Sequence, residues 1–106
     1  MLSIEQASNG FAAAGSEPRL KVLLTLVRAG PEGLTIGEII ERVGLPASTL
    51  AHHLKFLGAG GLIEQQKKGR AVMSRANYPV IEALAAFLLN ECCADDITHA
   101  GAIENK

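Results

Sequence analysis

The sequence predicts a mainly α domain with one small β-hairpin, and three observations predict it. First, the stretch from Leu34 through Ala59 reads as two helices parted by a tight turn. Gly44 suits the left-handed residue after a helix end, and Pro46 has the fixed φ tolerated in a first helical turn. Second, residues 62–66 and 71–75 read as strands around a basic turn, Lys67-Lys68-Gly69-Arg70, where Gly69 supplies a positive φ. Third, the flanking segments carry apolar residues at helical spacing. Two helices joined by so short a turn form the helix-turn-helix pattern, whose second helix enters the DNA major groove, and a basic hairpin directly after it is a wing.

The elements follow in order. Ser3 to Ala14 is a first helix, with Ile4, Ala7, Phe11 and Ala14 as its stripe. It is too short and alanine-rich to stand alone, so it must pack on something. Gly15-Ser16 breaks it, Ser16 caps a second helix, and Pro18 sits in that helix's first turn. Leu20, Leu23, Leu24 and Val27 form the second stripe, which Ala29-Gly30-Pro31-Glu32-Gly33 ends. Thr35 and Glu38 make a capping box for a third helix, Ile36 to Val43.

The helix after the turn sorts its residues by face. At about 100° per residue, Leu50, Leu54 and Leu57 share a stripe with Ala47 beside them, while Ser48, Thr49, His52 and Lys55 lie on the other side. Short hydroxyls, an imidazole and an amine can reach base edges and phosphates, although many helices present such a face to water alone. From Ala47 to Arg75 the cations are Lys55, Lys67, Lys68, Arg70 and Arg75 against the single acid Glu64, while the whole chain carries −1. The positive charge is local, as phosphate binding requires. Ser48, Thr49, His52 and Lys55 are therefore the expected groove contacts, and Lys67, Lys68 and Arg70 the expected contacts along the backbone and minor groove.

Past the wing, Tyr78-Pro79 opens a last helix that runs to Leu89 and is apolar nearly all round. One helix of a small domain cannot bury every face internally, so another chain is expected to cover part of it. The competing expectation is a buried central helix in a monomer.

A length of 106 residues fits one domain, expected over residues 1–95 with 96–106 as a flexible tail, and an apolar fraction of 48% is ample for a core. No segment approaches the roughly eighteen unbroken apolar residues of a membrane span. The N-terminus, with Glu5 and no basic cluster, does not read as a signal peptide, so a cytoplasmic protein without a membrane partner is expected. No nucleophile, base and orienting group occur together, and no glycine loop suits a phosphate, which argues against an enzyme.

Cys92 and Cys93 are adjacent, and no other cysteine occurs. Neighbouring Cα atoms lie about 3.8 Å apart, below the roughly 4.4 Å at which ordinary disulfides begin, so a bridge between them would be strained. Thiolates are soft ligands, and trivalent arsenic or antimony, which favours sulfur in a pyramidal arrangement, is the natural guest. Three other readings stand beside it: two small apolar fillers at a helix end, a zinc set completed by Asp95 and His99, and oxidation of thiols between protomers.

The run Ala51-His52-His53-Leu54-Lys55-Phe56-Leu57, the following Gly61-Leu62-Ile63, the wing's Gly69-Arg70 and the earlier Gly15 to Leu24 segment resemble the ArsR/SmtB family of bacterial winged-helix repressors. The resemblance covers roughly residues 3 to 93. Ala51 stands where a serine is common, and Ser74 where the second wing strand often has an aromatic. The resemblance implies a homodimer, with first and last helices pairing across a two-fold axis, on a palindromic double-stranded operator. It places His52 at the DNA and His53 in a partly buried packing position. The helix before the turn lacks the thiol box of some members, and the last helix lacks the aspartate and histidine ligands of the zinc sensors. A Cys-Cys pair after the last helix resembles arsenic-responsive members, which often add a third cysteine absent here. The expectation is a repressor released by As(III) or Sb(III); the alternatives are a redox- or reactive-sulfur-sensing repressor of the same fold, a zinc-responsive one, and a protein-interaction module that keeps the winged-helix shape without binding DNA.

Overall fold

Ser3 opens the first helix, α1 (Ile4–Ala14), by a capping box: its hydroxyl accepts from the Gln6 N–H at 3.0 Å and its own N–H donates to Gln6 Oε1 at 2.8 Å. The computed structural model describes residues 1–96. After Gly15, Ser16 accepts from the Arg19 N–H and starts α2 (Glu17–Ala29), with Pro18 in the first turn where its missing donor costs nothing. Thr35 then caps α3 (Ile36–Val43), accepting from the Glu38 N–H at 3.2 Å while Glu38 accepts from the Thr35 N–H at 2.8 Å. The backbone and side-chain hydrogen bonds from Thr35 hold the Glu38 carboxyl below its usual pKa. Gly44 closes α3 at φ +72°, its N–H on the Ile40 carbonyl.

The turn is one residue longer than the sequence reading has it. Pro46 lies just before α4 (Ala47–Ala59), as its N-cap, and makes no side-chain cap. The wing differs as well. Strands β2 (Ile63–Lys68) and β3 (Ala71–Ala76) pair antiparallel from Ile63 with Ala76 to Lys68 with Ala71, which leaves only Gly69 and Arg70 as the turn. Lys67 and Lys68 are strand residues, and because neighbours on a strand point to opposite faces they cannot both sit on one side of the wing. A third strand, β1 (Leu34–Thr35), pairs with Ser74 and Met73, so the sheet has the order β1-β3-β2. The last helix, α5, spans Tyr78–Leu89.

The core lies between α2, α3, α4 and the root of the sheet. Val22, Leu26, Ile39, Leu50, Leu54, Leu57, Leu62 and Ile63 are buried there, and Leu84 joins from α5. Two stripes shift from expectation. In α2 the buried residues are Val22, Leu23 and Leu26, while Leu20 and Leu24 are exposed. In α1 they are Ala7, Gly10 and Ala13, while Ile4 and Phe11 face outward. The reason in α1 is close approach: a Cβ on Gly10 would stand 2.9 Å from Leu84 Cδ1, and one on Gly60 would stand 2.5 Å from Ala13 Cβ. Small residues are buried where the helices cross, so larger ones are turned away. Ala47, expected beside the α4 stripe, is exposed at the helix start.

α5 does not sit where the buried-central-helix reading puts it. Only Leu84 is buried, Leu88 and Leu89 are 60% and 54% exposed, and the helix lies at the outside of the protomer against α1. It is not a buried central helix. Its start is fixed by the Tyr78 hydroxyl, which donates to the Val27 carbonyl at 2.9 Å, and by Asn77, whose Oδ1 accepts from the Val80 N–H. Among the described residues no helix is long and apolar enough to cross a membrane.

Candidate nucleic-acid interface

The reading face of α4 follows from what its other face buries. Leu50, Leu54 and Leu57 point inward; at about 100° per residue, Ser48, His52 and Lys55 then lie roughly 140–200° from Leu50. All three are exposed, and Thr49 is exposed at the flank of that face. The four groove candidates therefore share one solvent-facing side of the helix after the turn. His53 is half-buried, with Nδ1 shielded and without a hydrogen-bond partner. Its pKa is pushed below the ordinary histidine value, first by desolvation and then by the charge of Arg19. It is a neutral packing residue at neutral pH.

Ion pairs divide the wing cations into two groups. Lys68 Nζ lies 3.2 Å from Glu32 Oε1, in the turn before β1, and Arg75 Nε lies 3.5 Å from Glu64 Oε1 on the neighbouring strand. Among the described residues Lys55, Lys67 and Arg70 make no ion pair. These three present uncompensated charge. Lys68 has a carboxylate to leave before it can serve a phosphate, though an exposed pair of this kind contributes only about 0–1 kcal/mol. Ser74 is fully buried and accepts from Gln65 Nε2 at 3.0 Å. The hydrogen bond explains how a serine fits inside this sheet.

Sequence reasoning missed one group beside this face. Arg19 lies over the Phe56 ring, 5.0 Å from its centroid, and Phe56 meets His52 edge-on at 4.8 Å. Phe56 follows His52 by four residues, the spacing of neighbours on a helix, which is the one local signal that could have flagged it.

The thiols lie in the turns that follow α5. Cys92 and Cys93 are free and half-buried, and their sulfurs stand 3.9 Å apart. That spacing is a hydrogen-bond contact between two thiols, either of which can be the donor. Cys93 adopts φ +60°, uncommon for a side chain other than glycine. The hydrogen bond with Cys92, and then its charge, raises the Cys93 pKa above the ordinary thiol value. Among the described residues no three of His, Cys, Asp and Glu gather closely enough to hold a metal. Asp95 is exposed nearby, and His99, the other zinc candidate, lies outside the described residues, as does most of the expected tail. A groove of about 340 Å³ lies alongside, lined by Met1, Leu2, Ala83, Ala86, Phe87, Asn90 and Glu91.

Comparison with known proteins agrees with this geometry. A model of a helix-turn-helix domain matches residues 15–66. The chain is 31% identical over 91 residues to the HTH-type transcriptional regulator YgaV of Escherichia coli (strain K12), covering 86% of this chain and 90% of that one. The structure superimposes on an ArsR-like transcriptional regulator from Rhodococcus sp. RHA1 with a TM-score of 0.75 at 27% identity, covering 95% and 92% of the two chains. It also shares the fold of a homodimeric winged helix-turn-helix DNA-binding domain from Mycobacterium bovis, with a TM-score of 0.67 at 21% identity over 86% and 82%. The reading face, the basic hairpin and the relatives converge: the chain belongs to the ArsR family of winged helix-turn-helix transcriptional regulators.

Proposed function

We propose that the protein is a cytoplasmic, non-catalytic, homodimeric repressor that occupies a palindromic operator when free and leaves it when As(III) or Sb(III) binds Cys92 and Cys93. The observation that carries the sensory half is the thiol pair, its sulfurs 3.9 Å apart, just after a helix that leaves Leu88 and Leu89 exposed. The homodimer is supported by the exposed Leu88 and Leu89 of α5 and Ile4 and Phe11 of α1, and by the M. bovis domain of the same fold, described as homodimeric. A two-fold dimer presents two α4 helices to half-sites about one DNA turn apart, and a ligand at the α5 ends changes how the two are set.

The exchange balances without a redox step. Each thiol proton leaves with one hydroxide of As(OH)3 as water while an As–S bond forms, and the remaining position on arsenic keeps hydroxide or takes a small ligand. Oxidant sensing is the weaker alternative, because adjacent cysteines close into a disulfide only with strain, so oxidation would have to link thiols of two protomers. Zinc is the other alternative; it needs ligands beyond the two sulfurs, and its binding expels thiol protons, so zinc-driven release would strengthen as pH rises.

The test is fluorescence anisotropy of the reduced protein on a labelled duplex from upstream of its own gene, titrated separately with arsenite, zinc and peroxide. Release by arsenite alone, lost in Cys92→Ser/Cys93→Ser, is the expected result. Release of that double variant by arsenite would remove the thiols from the sensor. On the same duplex, Arg70→Ala should lower the slope of log affinity against log salt by about 1.

A further inference from the structure

Arg19 joins the end of one helix to the reading face of another. Its Nε donates to the Ala13 carbonyl at 2.7 Å and its Nη2 to the Ala12 carbonyl at 3.2 Å. Helix ends leave carbonyls without partners and carry the negative pole of the helix dipole, and α1 has no basic residue in its own last turn. The guanidinium therefore supplies from α2 the cation that α1 lacks. The same guanidinium lies 5.0 Å from the Phe56 centroid, within cation–π range. Phe56 in turn meets the His52 imidazole edge-on at 4.8 Å. A continuous chain of contacts thus runs from the C-terminal end of α1, through Arg19 and Phe56, to an imidazole on the DNA-facing side of α4.

Two further observations make this more than chance proximity. Phe56 is 45% exposed, so core burial does not account for an aromatic at this position, whereas its ring meets both a cation and an imidazole. The backbones are also held close together, since a Cβ on Gly60 would reach 2.5 Å from Ala13 Cβ. The end of α1 cannot move far along α4 without disturbing the Arg19 fork.

We propose that Arg19 is a positioning residue for DNA reading: it couples the C-terminal end of α1 to the Phe56–His52 pair, so that the pose of His52, and with it operator affinity, follows the placement of α1. The inference rests on the reading of His52 as a groove contact. It gives the dimer helix a direct route to the recognition helix, one that does not pass through the wing. Arg19 itself need not touch DNA, because two arms of its guanidinium are committed to α1 carbonyls.

The experiment is a double-mutant cycle on the labelled upstream duplex, combined with NMR of the DNA-free protein. Arg19→Ala should weaken binding about tenfold, within the range of coupling between contacting residues, and leave the salt slope unchanged. In a His52→Ala background the same substitution should cost nothing further. Phe56→Leu, which keeps apolar volume but removes the ring, should reproduce Arg19→Ala, and Arg19→Lys should not rescue because an ammonium lacks the planar fork. In the free protein the His52 ring-proton shifts, set by the Phe56 ring current, should move in both Arg19→Ala and Phe56→Leu. Unmoved shifts, or costs of Arg19→Ala and His52→Ala that simply add, overturn the coupling. A salt slope reduced by about 1 in Arg19→Ala makes it a phosphate contact and overturns the positioning role. Full affinity in His52→Ala, with the ring shifts still moving, overturns the assignment of His52 to DNA and with it the functional half of the proposal, so the two failures are told apart.

Discussion

α4 and α5 are nearly equal in length, 13 and 12 residues, and both are rich in leucine and alanine, yet they place their apolar side chains differently. α4 sinks Leu50, Leu54 and Leu57 into the protomer and turns polar side chains outward. α5 buries Leu84 alone and leaves Leu88 and Leu89 in solvent. Apolar content says that a helix seeks burial; it does not say against what. On α4 the polar residues mark the side that must stay wet, so the inner face is determined. On α5 only Glu82 interrupts the apolar run, and the packing of α1 through Gly10 decides which side is covered.

Three measurements sharpen or break this contrast. Leu57→Ala removes a side chain buried within the protomer and should cost about 2–5 kcal/mol in urea denaturation, with the same loss at every protein concentration. A loss that grows on dilution would mean that Leu57 contributes to assembly. Leu88→Glu should leave the far-ultraviolet dichroism of the protomer intact but raise the dimer dissociation constant about a hundredfold. Two symmetry-related leucines at about 1.5 kcal/mol each make about 3 kcal/mol, or two decades. Sedimentation equilibrium reads this directly, and a variant that dimerises as well as the parent would show that α5 does not pair. The smallest effect concerns pH. Because the folded His53 pKa is lowered, the unfolded chain binds the proton more readily. The stability that neutral His53 contributes is complete above about pH 6.5 and is lost as pH falls toward its folded pKa. His53→Gln should flatten the pH dependence of the urea midpoint below pH 6.5, and an unchanged slope would assign that dependence to other groups.

What was legible in the sequence was mostly local. The Thr35–Glu38 capping box, the left-handed Gly44 and the leucine stripe of α4 each depend on residues a few positions apart, and each is present. The stripes of α1 and α2 were displaced because burial there is set by how closely helices cross, which favours Gly10 and Ala13 over Ile4 and Phe11. Strand β1 escaped notice because two residues carry no alternation to detect. The basic turn was drawn too wide because charge marks the hairpin without marking where pairing stops. In the candidate interface, residue types and faces could be read in advance. The partners of Lys68 and Arg19 could not, since Glu32 and Phe56 meet them only through the fold. Nor could the positive φ of Cys93, which no pattern of neighbouring residues announces.

Thr35 belongs to two structures at once: its backbone is the end of β1, paired with Met73 of the wing, and its side chain caps α3. The hairpin and the helices of the turn are thereby welded into a single head. A head joined in this way has less backbone to order on contact with a partner. In the proposed dimer, two such heads on a common axis work like the jaws of a caliper. On that proposal the gap between them, set at the α1 and α5 end, is the quantity that a signal has to change.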